Sequence, residues 1–385
     1  MQKDHFMNHA LHLAIKGEGY TSPNPMVGAV IVKDGRIIGE GYHPRPGQLH
    51  AEIMAIEKAE ASVAGAALFC TLEPCCHDTP EKRTPPCTRR IIEAGIARVV
   101  ISTLDPNPHV SGNGVNMLRD AGIQVNVGNL APEAIELNEA YFKFIQTGLP
   151  FVHLKMAVSL DGRIATSQND SKWITDSDAR TIVHQMRHQN DAVLIGANTV
   201  RADNPQLTLR LCEGKQPFRV VLDSKLELPR NASLLNDDDR EKTIILTTEN
   251  HDPETAKFIA YQGVKLEIID HTRDGRVDLK KALSRLAEIG VTSVLVEGGG
   301  EVFTSFIGQA LYDKLSLFHA PIFVGTGIDA VNSLGIAEIS QANRLQKVSH
   351  QIINDQVWLR GYRNLEETFG QLTSKLLDTK CLQES

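Results

Sequence analysis

Three short motifs in fixed order narrow what this chain can become more than anything else in it: His50-Ala51-Glu52, then Pro74-Cys75, then Pro86-Cys87. An imidazole and two thiols so far apart in sequence act together only if regular elements carry them to one point. The segments between them read that way. Residues 51–63 are rich in Ala and Glu, with Ile53, Ile56 and Ala59 at helical spacing, which puts His50 and Glu52 at a helix start. Ala66–Thr71 reads as a strand, and Pro85-Pro86 opens a helix that ends near Gly95.

One imidazole and two thiolates are three ligands of the types zinc prefers, and they leave its fourth tetrahedral position open to water, the mark of a catalytic site. Zinc makes hydroxide available near neutral pH, but attack on an amidine-like ring carbon also needs a group to shuttle protons. Glu52 is the candidate, in the role of the non-ligand glutamate of zinc deaminases. Both Pro-Cys pairs are expected to begin helices, where unpaired N–H groups favour thiolate. A structural site would close the shell with a fourth protein ligand, for which Cys76 and His77 are available, although adjacent Cys75 and Cys76 do not easily point at one metal.

The rest of the first half alternates in the same manner. A helical pattern over residues 4–16 leads through Thr21–Pro25 into a strand over Met26–Val32, a turn at Lys33–Arg36 and a return strand over Ile37–Gly41. A strand over Ala97–Ser102 and a helix and strand over Gly114–Val127 follow, which indicates a three-layer α/β sandwich. Apolar content dips over Gly128–Glu139 and the strand pattern restarts at Phe151 after Gly148-Leu149-Pro150. With 385 residues to divide, this gives domains of 1–147 and 148–365 and a C-terminal tail of 366–385 without strong pattern. In the second domain, helices over 176–188 and 278–289 and from Glu301 alternate with strands over 192–196, 219–222, 242–247, 293–296 and 314–319.

The formal charge of −7 lacks the basic excess of a nucleic-acid surface. Met1–Ala14 has no signal-peptide core and no apolar run approaches membrane-spanning length, so a cytoplasmic protein with a small-molecule substrate is expected. Six cysteines in so long a chain do not make a disulfide framework. In the second domain, Val296-Glu297-Gly298-Gly299-Gly300-Glu301 follows an apolar strand and precedes a helix, a geometry that presents backbone N–H groups to phosphate. It is not G-x-G-x-x-G, so a dinucleotide bound here needs a fold other than Rossmann.

The segments TSPNPMVGAVIV, HAE, TLEPCCH, RTPPC and DPNP, in order over residues 21–108, closely resemble the deaminase domain of the bifunctional riboflavin-biosynthesis deaminase/reductase family. The segments LKMAVSLDGRIA (154–165), SKWIT (171–175), GANTVRADNPQLTLR (196–210) and VEGGGE resemble the reductase domain of the same family, so that the likeness spans roughly residues 5–362. The resemblance implies a cytidine-deaminase-like three-layer domain followed by a dihydrofolate-reductase-like α/β domain. It further implies hydrolytic deamination of a phosphoribosylated diaminopyrimidinone, then NADPH-dependent reduction of the ribosyl group to ribityl.

By motif, it places His50, Cys75 and Cys87 on zinc, Glu52 in catalysis, and Asn24, His43, His77, Arg83, Asp105 and Asn107 around the first substrate. It places Val158, Trp173, Thr199, Asp203, Ser224 and the run Gly299, Gly300, Glu301, Val302, Phe303, Thr304 and Ser305 against NADPH. Lys155, Ser171, Arg187, Leu207, Arg210 and Glu297 surround the second substrate, with Arg187 and Arg210 clamping its phosphate, Glu297 accepting from sugar hydroxyls and Lys155 assisting ring opening. The chain departs from the family at Asp78–Lys82, which lengthens the loop between the cysteines and removes its glycine. NADPH in place of NADH rests on resemblance alone, as no group for the extra phosphate is evident. A homodimer or homotetramer is expected. The competing readings are a nucleoside, base or tRNA deaminase with an unrelated C-terminal domain, and a non-catalytic zinc-stabilised nucleotide-binding protein.

Overall fold

Strand β1 (Gly28–Lys33) turns back as β2 (Arg36–Tyr42) through Asp34 and Gly35, both with positive φ, the conformation that suits a two-residue hairpin. In the computed structural model, which describes residues 2–77, 85–172 and 174–377, this hairpin starts the first of two units. That unit comprises the described residues of Met1–Thr147 and Glu366–Ser385; the second comprises those of Gly148–Leu365.

The first unit continues with β3 (Ala67–Leu72), β4 (Arg98–Thr103) and β5 (Gln124–Val127) in a sheet of order β2-β1-β3-β4-β5. The first two pairings are antiparallel and the last two parallel. Strands β1, β3 and β4 are buried almost throughout, as continuous apolar runs covered on both faces are. Helix α1 (Gln2–Ile15) packs Phe6, Met7, Ala10 and Leu13 on one face against Val30, Val32, Phe69 and Val100. Helix α2 (Ala51–Glu57) covers the other, so the layers are helix, sheet, helix.

Glycines set how closely these layers approach. A Cβ on Gly28 would lie 1.9 Å from the Ala10 carbonyl oxygen of α1, and one on Gly41 would lie 2.2 Å from the Ala51 oxygen and 2.6 Å from the Ala55 nitrogen of α2. The start of α2 therefore rests backbone to backbone on β2. The helix is shorter than the expected 51–63, ending at Glu57, because the chain beyond it is drawn to the sheet: Glu60 N–H donates to the Ile38 carbonyl and Lys33 Nζ to the carbonyls of Ser62 and Ala64.

Helices α3 (Cys87–Glu93), α4 (Asn113–Asp120), α5 (Ala131–Leu137) and α6 (Glu139–Thr147) complete the unit up to residue 147. The last two occupy the stretch whose low apolar content suggested a link. Its polarity is structural: buried Asn138, between the helices, accepts from Met26 N–H at 2.7 Å and donates to the Met26 carbonyl at 2.9 Å, so its amide stands in for a strand's backbone.

The second unit holds β6 (Phe151–Val158), β7 (Arg163–Thr166), α7 (Ser177–Gln189), β8 (Ala192–Gly196), α8 (Ala197–Asp203), β9 (Phe218–Leu222), α9 (Ser233–Asn236) and β10 (Thr243–Thr247). It goes on through α10 (Pro253–Tyr261), β11 (Lys265–Ile268), α11 (Leu279–Glu288), β12 (Ser293–Gly298), α12 (Gly300–Gly308), β13 (Lys314–His319), β14 (Gly327–Asp329), β15 (Gln346–Ile353) and β16 (Gln356–Tyr362). The sheet order is β11-β10-β9-β8-β12-β6-β13-β16-β15, parallel as far as β13 and closed by an antiparallel hairpin. Because β12 inserts between β8 and β6, the order reverses at its carboxyl end, the place where open parallel sheets bind ligands.

A correction concerns the expected tail. Residues Leu365–Leu377 form helix α13, kinked at Gly370, with Leu365, Thr368 and Phe369 buried; the i, i+4 spacing of Leu365 and Phe369 supplies an apolar face. Residues 378–385 lie outside the described part.

The Gly41 contact gives a direct test. Gly41→Ala inserts a methyl group between two backbones and costs about 1–3 kcal/mol. It displaces the helix end that carries His50 and Glu52, so calorimetry should show earlier unfolding of the first unit and metal analysis a reduced zinc content. Unchanged unfolding and full metal content would contradict this account of the layer spacing.

Candidate active sites

His50 immediately precedes α2 in extended conformation, and its carbonyl accepts from Met54 N–H. Cys87 is the first residue of α3, after Pro86. Cys75 follows β3, and its thiol and carbonyl accept from the N–H groups of Cys87 (3.4 Å) and Thr88 (3.2 Å). These bonds correct the expectation that Pro74-Cys75 begins a helix: residues 73–77 are irregular because they are tied to the start of α3. His50 Nδ1 lies 3.6 Å from Cys75 Sγ and 3.2 Å from Cys87 Sγ, and the three atoms fall within 4.8 Å of one another.

Zinc bonded to nitrogen and sulfur at tetrahedral angles separates those atoms by about 3.6 Å, so the three residues fit the metal. Cys76 does not join them: its thiol is directed at the His109 carbonyl, 3.7 Å away. Nor does His77, so among the described residues the cluster has three ligands and the closed shell is not formed.

Glu52 lies in the first turn of α2, 3% exposed. Burial pushes its carboxyl above the ordinary value, with His50 and a hydrogen bond to Cys87 opposing. His43 is fixed in one form. Its Nδ1 faces the Leu49 carbonyl (3.1 Å) and must donate, while its Nε2 accepts from Asn24 Nδ2 (3.1 Å). Burial lowers the pKa of His43, so the ring is neutral, and it stands edge-on to His50 at 5.3 Å.

Asp105 and Asn107 lie in the loop after β4. Two residues not singled out by sequence organise that loop. Buried Glu73 accepts from the N–H groups of Asp105 (3.3 Å), Gly112 (3.0 Å) and Val115 (3.0 Å). Tyr141 of α6 donates to Asp105 Oδ1 at 2.9 Å, alongside Asn107 N–H at 2.9 Å. Burial raises the Asp105 carboxyl to about 6 against the lowering effect of those two donors. Glu73 was visible within TLEPCCH; Tyr141 had no signal, since α6 itself was unread. His77 lies two positions beyond Cys75, and Arg83 lies outside the described residues.

In the second unit a cleft of about 1290 Å³ opens at the carboxyl ends of β8, β9 and β12. Lys155, Ser171, Arg187, Arg210 and Glu297 line it, as do Thr199, Asp203, Ser224, Gly299, Gly300, Glu301, Val302, Phe303 and Ser305. Val158 and Leu207 do not, being 3% exposed in the core. Nor does Thr304, whose hydroxyl donates to the Gly300 carbonyl and accepts from Asn332 N–H. Trp173 lies outside the described residues. The cleft suits a dinucleotide phosphate: α12 begins at Gly300 with no side chain capping it, and Gly299 has φ +85°, so backbone N–H groups face the opening.

Glu297 and Arg187 form a bidentate pair, Nε to Oε1 at 2.5 Å and Nη2 to Oε2 at 2.8 Å, while Arg187 Nη1 donates to the Thr208 carbonyl at 3.1 Å. This corrects the bidentate phosphate clamp expected of Arg187, whose forked edge is taken by a carboxylate. Burial raises the Glu297 carboxyl, but Arg187, Lys155 and His184 outweigh it and hold the group below its ordinary range. The Lys155 ammonium has no hydrogen bond among the described residues; it stands 5.8 Å from the Phe318 ring, and burial lowers its pKa. His184, which sequence did not single out, also lines the cleft; it accepts from Arg210 N–H at 3.1 Å, and burial lowers it to about 4.

Residues 150–359 match the model of the RibD C-terminal domain, and residues 1–103 that of the cytidine and deoxycytidylate deaminase zinc-binding region. The riboflavin biosynthesis protein RibD of Aquifex aeolicus is 44% identical over 343 residues, 89% of this chain and 93% of its own. That of Escherichia coli is 38% identical over 358 residues, covering 89% and 94%. A solved Thermotoga maritima structure, a diaminohydroxyphosphoribosylaminopyrimidine deaminase/5-amino-6-(5-phosphoribosylamino)uracil reductase, superposes with a TM-score of 0.83 at 41% identity, over 94% of this chain and 99% of that one. Acinetobacter baumannii RibD gives the same score at 35% identity and the same coverage.

The Tyr141 contact makes a further prediction. Tyr141→Phe removes a donor that favours the charged form of Asp105, so the Asp105 carboxyl should titrate above about 6. A carboxyl-carbon NMR titration reads this directly, and an unmoved or lowered midpoint would contradict the assignment of the hydroxyl as a donor.

Proposed function

The chain belongs to the RibD family of riboflavin-biosynthesis enzymes, and on that premise we propose which of its residues carry each of the family's two reactions. It is a bifunctional enzyme that deaminates 2,5-diamino-6-(5-phosphoribosylamino)pyrimidin-4(3H)-one in a zinc-dependent step and then reduces the ribosyl group to ribityl with NADPH. The match over residues 150–359 leaves no room for the reading with an unrelated C-terminal domain.

We assign deamination to residues 1–147 and reduction to 148–365. In the first, His50, Cys75 and Cys87 would hold zinc, which when bound polarises water into a nucleophile near neutral pH. Glu52 takes one proton of the attacking water and gives it to the ring nitrogen beside the amino-bearing carbon; it then takes the proton of the added hydroxyl as the carbonyl forms and gives it to the departing amine, which leaves as ammonia. Its buried position supports this, because a raised carboxyl pKa lets it hold each proton between uptake and delivery. Asp105, with Oδ1 taken by Tyr141 and Asn107, has Oδ2 for the N–H groups of the substrate, and neutral His43 and Asn24 close the opposite side. His77 and Arg83 remain assigned to the same substrate by motif.

In the second half, bound NADPH supplies a hydride and the protein positions the sugar. Lys155 donates a proton to the ribose ring oxygen as the ring opens, a task suited to an ammonium whose pKa burial has lowered. Glu297, held by Arg187, orients sugar hydroxyls, and Arg210 faces the phosphate, with Ser171 beside them; Leu207, whose side chain lies in the core, is assigned by motif alone. Thr199, Asp203, Ser224, Gly299–Phe303 and Ser305 are assigned to NADPH, with Val158, Trp173 and Thr304 assigned by motif alone. We further take the protein to be cytoplasmic and a homodimer or homotetramer. No disulfide joins any of the five described cysteines, which supports a reducing compartment, and the exposed strand β15 with Val348 and Ile352 outward supports self-association. No described helix is long and apolar enough to cross a membrane.

The convergence of His50, Cys75 and Cys87 beside buried Glu52 carries the assignment. Its test is Glu52→Ala in zinc-loaded enzyme, with ammonia and NADPH absorbance recorded together. Ammonia release should fall by about 10²–10⁴-fold, the usual share of a general acid-base group, while zinc stays bound and reduction of the pre-deaminated substrate continues. Deamination at the parent rate would remove Glu52 from the mechanism.

A further inference from the structure

Resting on the NADPH reading above, we propose that Arg201, Lys225 and Arg276 form the subsite that recognises the 2′-phosphate of NADPH and sets its preference over NADH. The three cations line one cleft and come from separate places in the chain: α8, the turn after β9, and the loop before α11. That turn gathers them. Asp223 locks it by accepting from the N–H groups of Glu227 (3.1 Å) and Leu228 (2.8 Å), with Leu226 at φ +57°. Ser224, the turn residue assigned to the cofactor, accepts through its hydroxyl from Val277 N–H at 3.0 Å, which fixes the backbone next to Arg276. Arg201 reaches the far end of the turn, its Nη1 donating to the Glu227 carbonyl at 3.3 Å. Lys225 lies within the turn, exposed beside Ser224.

The cations are loosely committed, as a ligand site requires. Arg276 stands 3.4 Å from Asp274 and 3.8 Å from Glu301, with all three side chains more than half exposed, and Arg201, though it donates to the Asn198 side chain and the Glu227 carbonyl, stands 3.9 Å from its only carboxylate contact among the described residues, Glu227. Exposed pairs of this kind contribute little, so a phosphate dianion offering several charge-assisted hydrogen bonds displaces them readily. The contrast with Arg187, held bidentately by buried Glu297, is one of availability. The contact between Arg276 and Glu301 also sets the group beside the first turn of α12, where backbone N–H groups await the pyrophosphate, so one bound dinucleotide can engage both.

The test is dissociation constants of NADPH and NADH for the full-length, zinc-loaded enzyme, measured by energy transfer from protein fluorescence to the nicotinamide, with 2′,5′-ADP and 5′-AMP as competitors. Arg201→Gln, Lys225→Gln and Arg276→Gln should each weaken NADPH several-fold and leave NADH within about twofold. The triple variant should bind the two equally, and 2′,5′-ADP should lose its advantage over 5′-AMP. A triple variant that keeps the parental ratio would overturn the proposal, as would equal weakening of both dinucleotides, which would mean a general role in the fold or the cleft. If the parent enzyme binds neither dinucleotide, the cofactor reading itself fails, a result separable from an altered ratio.

Discussion

The backbone of α2 lies directly on β2 at Gly41, with no side chain between them, and the deaminase centre depends on that contact. It fixes the height of His50 and Glu52 above the sheet, so that the helix start meets Cys75 and Cys87 arriving from β3 and α3. The metal ligands are therefore positioned by packing of the first layer rather than by a flexible loop. Because the Cys75 thiol accepts from the backbone N–H of Cys87, it is already tied to the start of α3 before any metal binds. Preorganisation of this kind limits the ordering that zinc must impose.

Carboxylates do related work in both halves. Glu73 gathers three N–H groups of the 105–115 loop and so aims Asp105, while Glu297 is anchored by a two-pronged pair with Arg187 at the reversal point of the second sheet. A buried ion pair such as Arg187–Glu297 adds little net stability, because desolvation offsets its attraction. Its value is orientation. It leaves the Lys155 ammonium without a hydrogen bond among the described residues, next to a carboxylate of fixed direction.

Much of this was legible in the sequence, and the exceptions have physical causes. The ligand trio and Glu52 could be read because metal chemistry demands particular residue types in order, and the central strands because they are unbroken apolar runs. Helices α5 and α6 were hidden because Asn138 spends its amide on the Met26 backbone, which makes a packed junction look like a polar link. Tyr141 went with them. Arg187 was read as a phosphate ligand because sequence shows a cation and not its partner 110 positions away. The proposed group for the extra phosphate of NADPH was invisible for a similar reason, since Arg201, Lys225 and Arg276 come from separate segments and share a cleft only in the fold.

X-ray absorption at the zinc edge of the purified enzyme tests the central claim most directly. An open tripod of His50, Cys75 and Cys87 gives two sulfur ligands at about 2.3 Å and two lighter atoms at about 2.0–2.1 Å, one of them from solvent. A first shell with three or more sulfurs would mean that Cys76 closes the site. That result would contradict the account of a catalytic metal beside Glu52.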